Sequence, residues 1–237
     1  MDYIFLLDIS GSMSDDGKLL LSKDSVGAFV QDLGPQDRFE VLTFNVQPNL
    51  AFRELREATD ANKSEALSYL SGQAARGGTV LAPAVTTAFK YASSDRPLNI
   101  IILSDGLSEQ QDRTTLVQLS KTRPTNSRIF CIGVGNDVNR PMLEQMAGET
   151  GGLAAFISRG DNFARQAGAF RRKLTRPVAT ALEINIDGVN VYDLEPQNLP
   201  NLYHGTPVRI YGRYKGSGDA KVELRASVNG KELKQSV

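Results

Sequence analysis

The sequence predicts an open α/β sheet with helices on both faces, followed by a smaller antiparallel β segment. Three observations carry this. Apolar runs alternate with stretches of helical period up to about Arg176, the pattern of a strand–helix–strand fold. The run at 98–103 is apolar at nearly every position, as suits a parallel strand buried on both faces. Beyond Pro177 the helical period vanishes, and short extended runs are punctuated by turn pairs.

Taken in order, residues 3–7 (Tyr-Ile-Phe-Leu-Leu) form the first expected strand. Leu19, Val26, Phe29, Val30 and Leu33 then recur on one helical face. A second strand is expected at 39–44, and a weaker extended piece near 49–53. Leu81, Ala84, Val85, Ala88, Phe89 and Ala92 make the next helical stripe. Strands at 98–103 and 129–134, a helix over 141–149 and a short strand at 154–157 follow. Phe163, Ala167, Phe170 and Leu174 mark a last helix, closed by Pro177. The first domain is therefore expected to span 1–177.

Residues 178–237 read differently. Runs at 182–186, 189–192, 208–214 and 221–228, with Asp187-Gly188 and Asn229-Gly230 as turn signals, give four or five antiparallel strands. That is too few for a self-sufficient sandwich. An incomplete sheet with an open edge is expected, able to pair with a second copy. A chain that opens directly on a central strand, with only Met1 and Asp2 before it, also reads as a piece of a longer protein. The preceding sequence would then complete the sandwich and carry any targeting segment.

Composition narrows the function. The 237 residues are 41% hydrophobic and 23% charged, with 27 Lys+Arg against 27 Asp+Glu. No net field favours nucleic acid or anionic lipid. No stretch approaches the roughly 20 apolar residues needed to span a bilayer. The single cysteine, Cys131, excludes an intrachain disulfide and a Cys-based zinc site. It leaves the compartment open and sits in an apolar run, where core packing is expected.

The chemistry concentrates in three short segments at strand ends, where open α/β sheets bind their ligands. Asp8-Ile9-Ser10-Gly11-Ser12-Met13 follows the first strand. Gly77-Gly78-Thr79 precedes a helix. Ser104-Asp105-Gly106 follows the strand at 98–103. Each alone is a common turn or cap sequence. Together they offer two carboxylates, Asp8 and Asp105, and three hydroxyls, Ser10, Ser12 and Thr79. Glycines 11, 77, 78 and 106 allow tight turns. Such a set suits Mg²⁺, which takes about six oxygens and keeps some waters; Mn²⁺ or Ca²⁺ are alternatives. Two carboxylates against a dication make a neutral, electron-poor site, open to a further carboxylate from outside. These loop oxygens are expected to stand outside the packed core.

Asp8-Ile9-Ser10-Gly11-Ser12-Met13 resembles the DxSxS signature of von Willebrand factor A domains, and Thr79 and Asp105 match that family's second and third metal-site loops. Asp37-Arg38-Phe39 and Gly133-Val134-Gly135 are similar as well. The resemblance covers about residues 1–176. It implies a six-stranded, mostly parallel, doubly wound sheet of Rossmann-like kind with one short antiparallel edge strand. It implies a metal-ion-dependent adhesion site at the top, with Ser10, Ser12 and Thr79 on the ion and Asp8 and Asp105 acting directly or through water. Leu202-Tyr203-His204-Gly205 and Gly212-Arg213-Tyr214 further resemble the region after the A domain in inter-alpha-trypsin inhibitor heavy chain–like proteins.

The expected function is a non-enzymatic adhesion or protein-interaction module, extracytoplasmic or at a cell surface, binding a partner's Asp or Glu through the metal. Two alternatives stand beside it: an assembly subunit acting with an ATPase, as in metal chelatases, and a metal-assisted hydrolase. Remaining features read as structural. Arg159-Gly160-Asp161 suits a loop in which Asp161 caps a helix. His204 lies far in sequence from the metal loops. Asp15 and Asp16 suit a solvated turn before a helix. Arg171-Arg172-Lys173 suits a helix C-terminus.

Overall fold

The computed structural model describes residues 1–105, 110–158, 178–196, 199, 201–203, 207–228 and 231–237. The expected helix carrying Phe163, Ala167, Phe170 and Leu174 lies outside the described residues. So do Gly106, the Arg159-Gly160-Asp161 tripeptide, Arg171-Arg172-Lys173, Pro177, His204 and the Asn229-Gly230 turn. The chain divides into two compact units, Met1–Arg171 and Arg172–Val237.

The first unit is built on β1 (Asp2–Asp8), in which every residue is buried. It pairs in parallel with β2 (Arg38–Phe44) on one side and β5 (Leu98–Ser104) on the other. β6 (Ser127–Val134) and β7 (Ala154–Ile157) extend the parallel sheet. β3 (Pro48–Leu50) and the two-residue β4 (Arg56–Glu57) run antiparallel on β2. The order is β3-β2-β1-β5-β6-β7, with β4 also on β2. The six expected strands are present; β4 is an addition too short to leave a pattern in sequence. The chain winds outward from β1 to β2 on one side and from β5 to β7 on the other. The switch point, where such sheets hold ligands, therefore lies between β1 and β5.

The pleat sends alternate β1 residues to opposite faces. Phe5 meets Phe29 of α1 (Lys18–Gln31), ring centroids 6.0 Å apart. α2 (Asp60–Ser71) packs on α1, where Lys63 Nζ donates to the carbonyls of Gln31 (3.0 Å) and Leu33 (2.7 Å) at the helix end, a favourable place for a cation. Ile4 and Leu6 join the opposite core with Val85 and Ala88 of α3 (Ala82–Phe89), Leu116 of α4 (Gln110–Lys121) and Met146 of α5 (Arg140–Glu149). Cys131 is fully buried in that core, and burial pushes its thiol pKa upward.

Among its described residues the second unit holds five strands: β8 (Thr180–Asp187), β9 (Asn190–Glu195), β10 (Tyr211–Lys215), β11 (Lys221–Val228) and β12 (Lys231–Ser236). They form two antiparallel sheets, β10-β9 and β12-β11-β8. Of the extended run expected at 208–214, only the part from Tyr211 onward is strand. Among the described residues, no helix of the chain is long and apolar enough to cross a membrane.

Candidate metal centre

Asp8, the last residue of β1, is fully buried. Its Oδ1 accepts the Ser10 N–H at 2.8 Å, and its Oδ2 accepts the Ser104 hydroxyl at 2.5 Å. The first bond folds the chain back over the strand end and brings Ser10 Oγ within 3.2 Å of Ser12 Oγ. Short 3₁₀ turns within Gly11–Gly17 follow, interrupted by the extended Asp15 and the positive-φ Asp16 (φ +53°) and anchored by the buried Met13. Asp15 and Asp16 are exposed, as expected of a solvated turn.

The loop before α3 lies alongside. Arg76 N–H donates to Ile9 C=O and Gly11 N–H to Gly77 C=O, both at 2.8 Å. On its other flank Val80 N–H donates to Asn45 C=O at 2.8 Å, and Asn45 Nδ2 to Arg76 C=O at 3.2 Å. Gly77 takes φ +77°, a conformation in which glycine is least strained. Thr79 stands half-buried in this stretch. It is not the helix cap: Leu81 N–H and Ala82 N–H are taken by the buried Asp112 carboxylate of α4, each at 3.0 Å.

Asp105 follows β5 and is also fully buried. Its carbonyl accepts the Asn139 N–H at 3.0 Å. Its Oδ2 lies 3.3 Å from Lys18 Nζ, which also donates to Ser12 C=O at 3.3 Å. The structure thus gathers Asp8, Ser10, Ser12 and Asp105 at the switch point and bonds the Thr79 loop to the first of these loops. Asp8, Ser10 and Asp105 are buried, which corrects the expectation that the site's oxygens stand outside the core; Ser12 and Thr79 form its partly exposed edge. The buried members lie low because the strands that carry them are central.

The electrostatics are uneven. Burial raises the Asp8 pKa above the usual carboxylate range; hydrogen bonds from Ser10 and Ser104 offset part of this, and the neighbouring Asp105 charge adds repulsion. At the other end of the same strand, Asp2 is equally buried but bracketed by Arg38 (2.9 and 2.6 Å) and Arg96 (2.9 Å). Among the described residues Asp8 has no such cation. A buried carboxylate without a counter-charge is costly. Hydroxyl and carboxylate oxygens converging beside it fit a hard divalent ion. Among the described residues no group of three or more His, Cys, Asp or Glu gathers to hold a metal, so hydroxyls would have to share the coordination.

Three contributors escape sequence reasoning. Lys18 is 87 residues from Asp105, and nothing local announces the pairing. Ser104 sits in a recognised segment, yet its role as donor to Asp8 depends on strand register. Asp112 acts across two helices. The structure alone shows the accommodation of Lys18: Gly135, just past β6, takes φ +108° with the Lys18 stem against it.

A doubly wound sheet whose switch point carries this hydroxyl-rich pair of acids defines the class, and residues 1–156 match the model of the von Willebrand factor type A domain. The chain belongs to that family. It is similar over 99% of its length to mouse (Mus musculus) inter alpha-trypsin inhibitor heavy chain 4, at 28% identity, and covers 26% of that protein. The chain thus spans about a quarter of the length of the curated relatives it matches. Among solved structures, a von Willebrand factor type A protein from Catenulispora acidiphila gives a TM-score of 0.67 at 18% identity, over 100% of this chain and 65% of that one. Proximal thread matrix protein 1 from the mussel byssus, with a zinc-occupied MIDAS motif, gives 0.57 at 19% identity, over 72% of this chain and 44% of that one. These two likenesses concern the fold.

Proposed function

We propose that the chain is a metal-dependent protein-interaction module rather than an enzyme. Asp8, Ser10, Ser12, Thr79 and Asp105 hold one Mg²⁺, with Mn²⁺ or Ca²⁺ as substitutes, and a partner's Asp or Glu side chain completes the coordination. The observation that carries this is the pair of buried acids at the ends of β1 and β5, one of them without a cation among the described residues, beside two hydroxyls 3.2 Å apart. The half-exposed Thr79 and Ser12 mark the side from which a carboxylate arrives. The working location in this reading is outside the cytoplasm or at a cell surface, in keeping with the heavy-chain likeness.

Calorimetric titration with Mn²⁺ and Mg²⁺ tests the ion. Asp8→Asn removes the charge while keeping an acceptor for Ser10, and it should abolish binding with the fold retained by circular dichroism. Equal affinity in both proteins would sink the assignment. Partner capture should then fail in EDTA. Thr79→Ala should weaken capture more than it weakens metal binding, and a partner indifferent to both overturns the carboxylate step. Esterase, peptidase and phosphatase assays with Mg²⁺ should be blank; turnover that disappears with Asp105→Ala would reverse the non-enzyme reading.

A further inference from the structure

Lys18 opens α1 and is 7% exposed. A cation in the first turn of a helix faces the positive end of the macrodipole, and burial adds a desolvation penalty. What offsets both is Asp105, 3.3 Å away, with the Ser12 carbonyl at the same distance. The stem is held in place from the side. A Cβ at Gly135 would come within 2.7 Å of Lys18 Cε and 3.3 Å of Cδ, so the bare backbone there is the channel along which the lysine reaches the site. The chain therefore places a fixed positive charge among the oxygens assigned to the metal.

This changes the charge count. Two carboxylates and one ammonium leave the metal-free site at minus one; a dication turns it to plus one. A neutral loaded site, expected from Asp8 and Asp105 alone, is replaced by a positive one. We propose that Lys18 is a resident cation of the metal site. It neutralises Asp105 in the metal-free protein and competes with the divalent ion for that carboxylate. It also leaves the loaded site with a positive charge that an incoming carboxylate cancels. The inference rests on the metal reading above and deepens it. Lys18 weakens the ion's hold in the absence of ligand and favours an anion once the ion is bound. Metal and acidic ligand thereby become mutually reinforcing, since coupling between two ligands is reciprocal.

The test compares the wild-type chain with Lys18→Met and Lys18→Gln, which keep the stem and remove the charge. Titrated with Mn²⁺ alone, both variants should bind more tightly, on the order of tenfold, a deliberately discounted fraction of the bare Coulomb effect at this distance. In EDTA both should melt below wild type, and Mn²⁺ should raise their melting temperatures by more than it raises wild type's. Broadening of the acetate methyl NMR signal by the Mn²⁺-loaded protein should be weaker in the variants, because the extra positive charge is gone. Folded variants with unchanged or weaker Mn²⁺ affinity overturn the proposal while leaving the metal reading intact. Wild-type protein that binds no Mn²⁺ overturns the metal reading and this inference with it. If one variant fails to fold, the other carries the comparison. If neither folds with or without Mn²⁺, Lys18 is a structural ion pair and the proposal falls.

Discussion

Glu40 lies fully buried in the middle of β2. Its Oε1 accepts N–H groups from Val41 at 2.8 Å and Phe52 at 3.0 Å, tying the chain after β3 back to the sheet. Burial nevertheless raises its pKa above the ordinary 4.5, since the backbone donors offset only part of the desolvation. Tyr91, whose hydroxyl lies 3.4 Å from Glu40 Oε2, is pushed up to about 12 by burial first and then by the Glu40 charge. A carboxyl whose folded pKa is raised is better protonated in the native state than in the unfolded chain. Its contribution is fully present below 4.5 and is lost as pH rises through the folded value. Glu40→Gln should keep the Oε1 acceptor and remove this loss. Its melting temperature should gain on wild type as pH rises from acid to neutral; a pH-independent difference would refute the account. Gly135→Ala is the companion prediction. Positive φ and the crowding of Lys18 should together cost on the order of 1–3 kcal/mol, read by denaturant unfolding in EDTA. The five proposed metal residues were legible because each belongs to a short local signature at a strand end. Lys18 was not, because a lysine names its partner only through the fold.

Element by element, legibility follows burial. The strands at 98–103 and 154–157 are readable as nearly continuous or short apolar runs, and β1, β2 and β6 extend only a residue or two beyond expectation. α2 and α4 left no readable stripe. α2 buries only Lys63, Ala66 and Leu70, and α4 reaches the core with Leu116 while burying Asp112 and Ser120. Each buries few apolar side chains and adds a buried polar contact, Lys63 in α2 and Asp112 in α4, that hydrophobic periodicity does not register. Asp112 shows the weight of such a contact. It caps α3 from a neighbouring helix, where an ordinary cap comes from the chain just before. Asp112→Ala should therefore destabilise the unit by about 2 kcal/mol. It should also loosen the stretch that carries Thr79 and so lower Mn²⁺ affinity. Chemical denaturation and metal titration of one variant check both. Loss of stability with full metal affinity would show that the Thr79 stretch is held by the backbone bonds of Arg76, Gly77 and Val80 to Ile9, Gly11 and Asn45 alone.

For the whole molecule, the family match ends at residue 156 and the compact first unit at Arg171. We propose that 1–177 is an independent domain and that 178–237 is a β domain left open at an edge. The fragment 1–177 should unfold in a single cooperative transition and keep the full chain's Mn²⁺ affinity. Failure to fold alone would mean that the division is only geometric. In the three-stranded sheet, β8 and β12 each pair on one side only among the described residues. β12 carries Lys231 and Lys234, charges of the kind that discourage pairing, whereas β8 has no lysine. Sedimentation should show self-association of the full chain that is absent from 1–177. A strictly monomeric full chain would remove the edge-pairing idea. The bonds joining the two hydroxyl-bearing loops have a consequence for evolution. Ile9, Gly11, Asn45, Arg76, Gly77 and Val80 meet mainly through main-chain groups, which every residue but proline supplies in full. The architecture of the cage is thus insulated from mutation of the side chains that fill it. A lineage could lose Ser10, Ser12 or Thr79 and keep the loops in register. Descendants that have abandoned the ion should still look, at the level of backbone, like descendants that retain it.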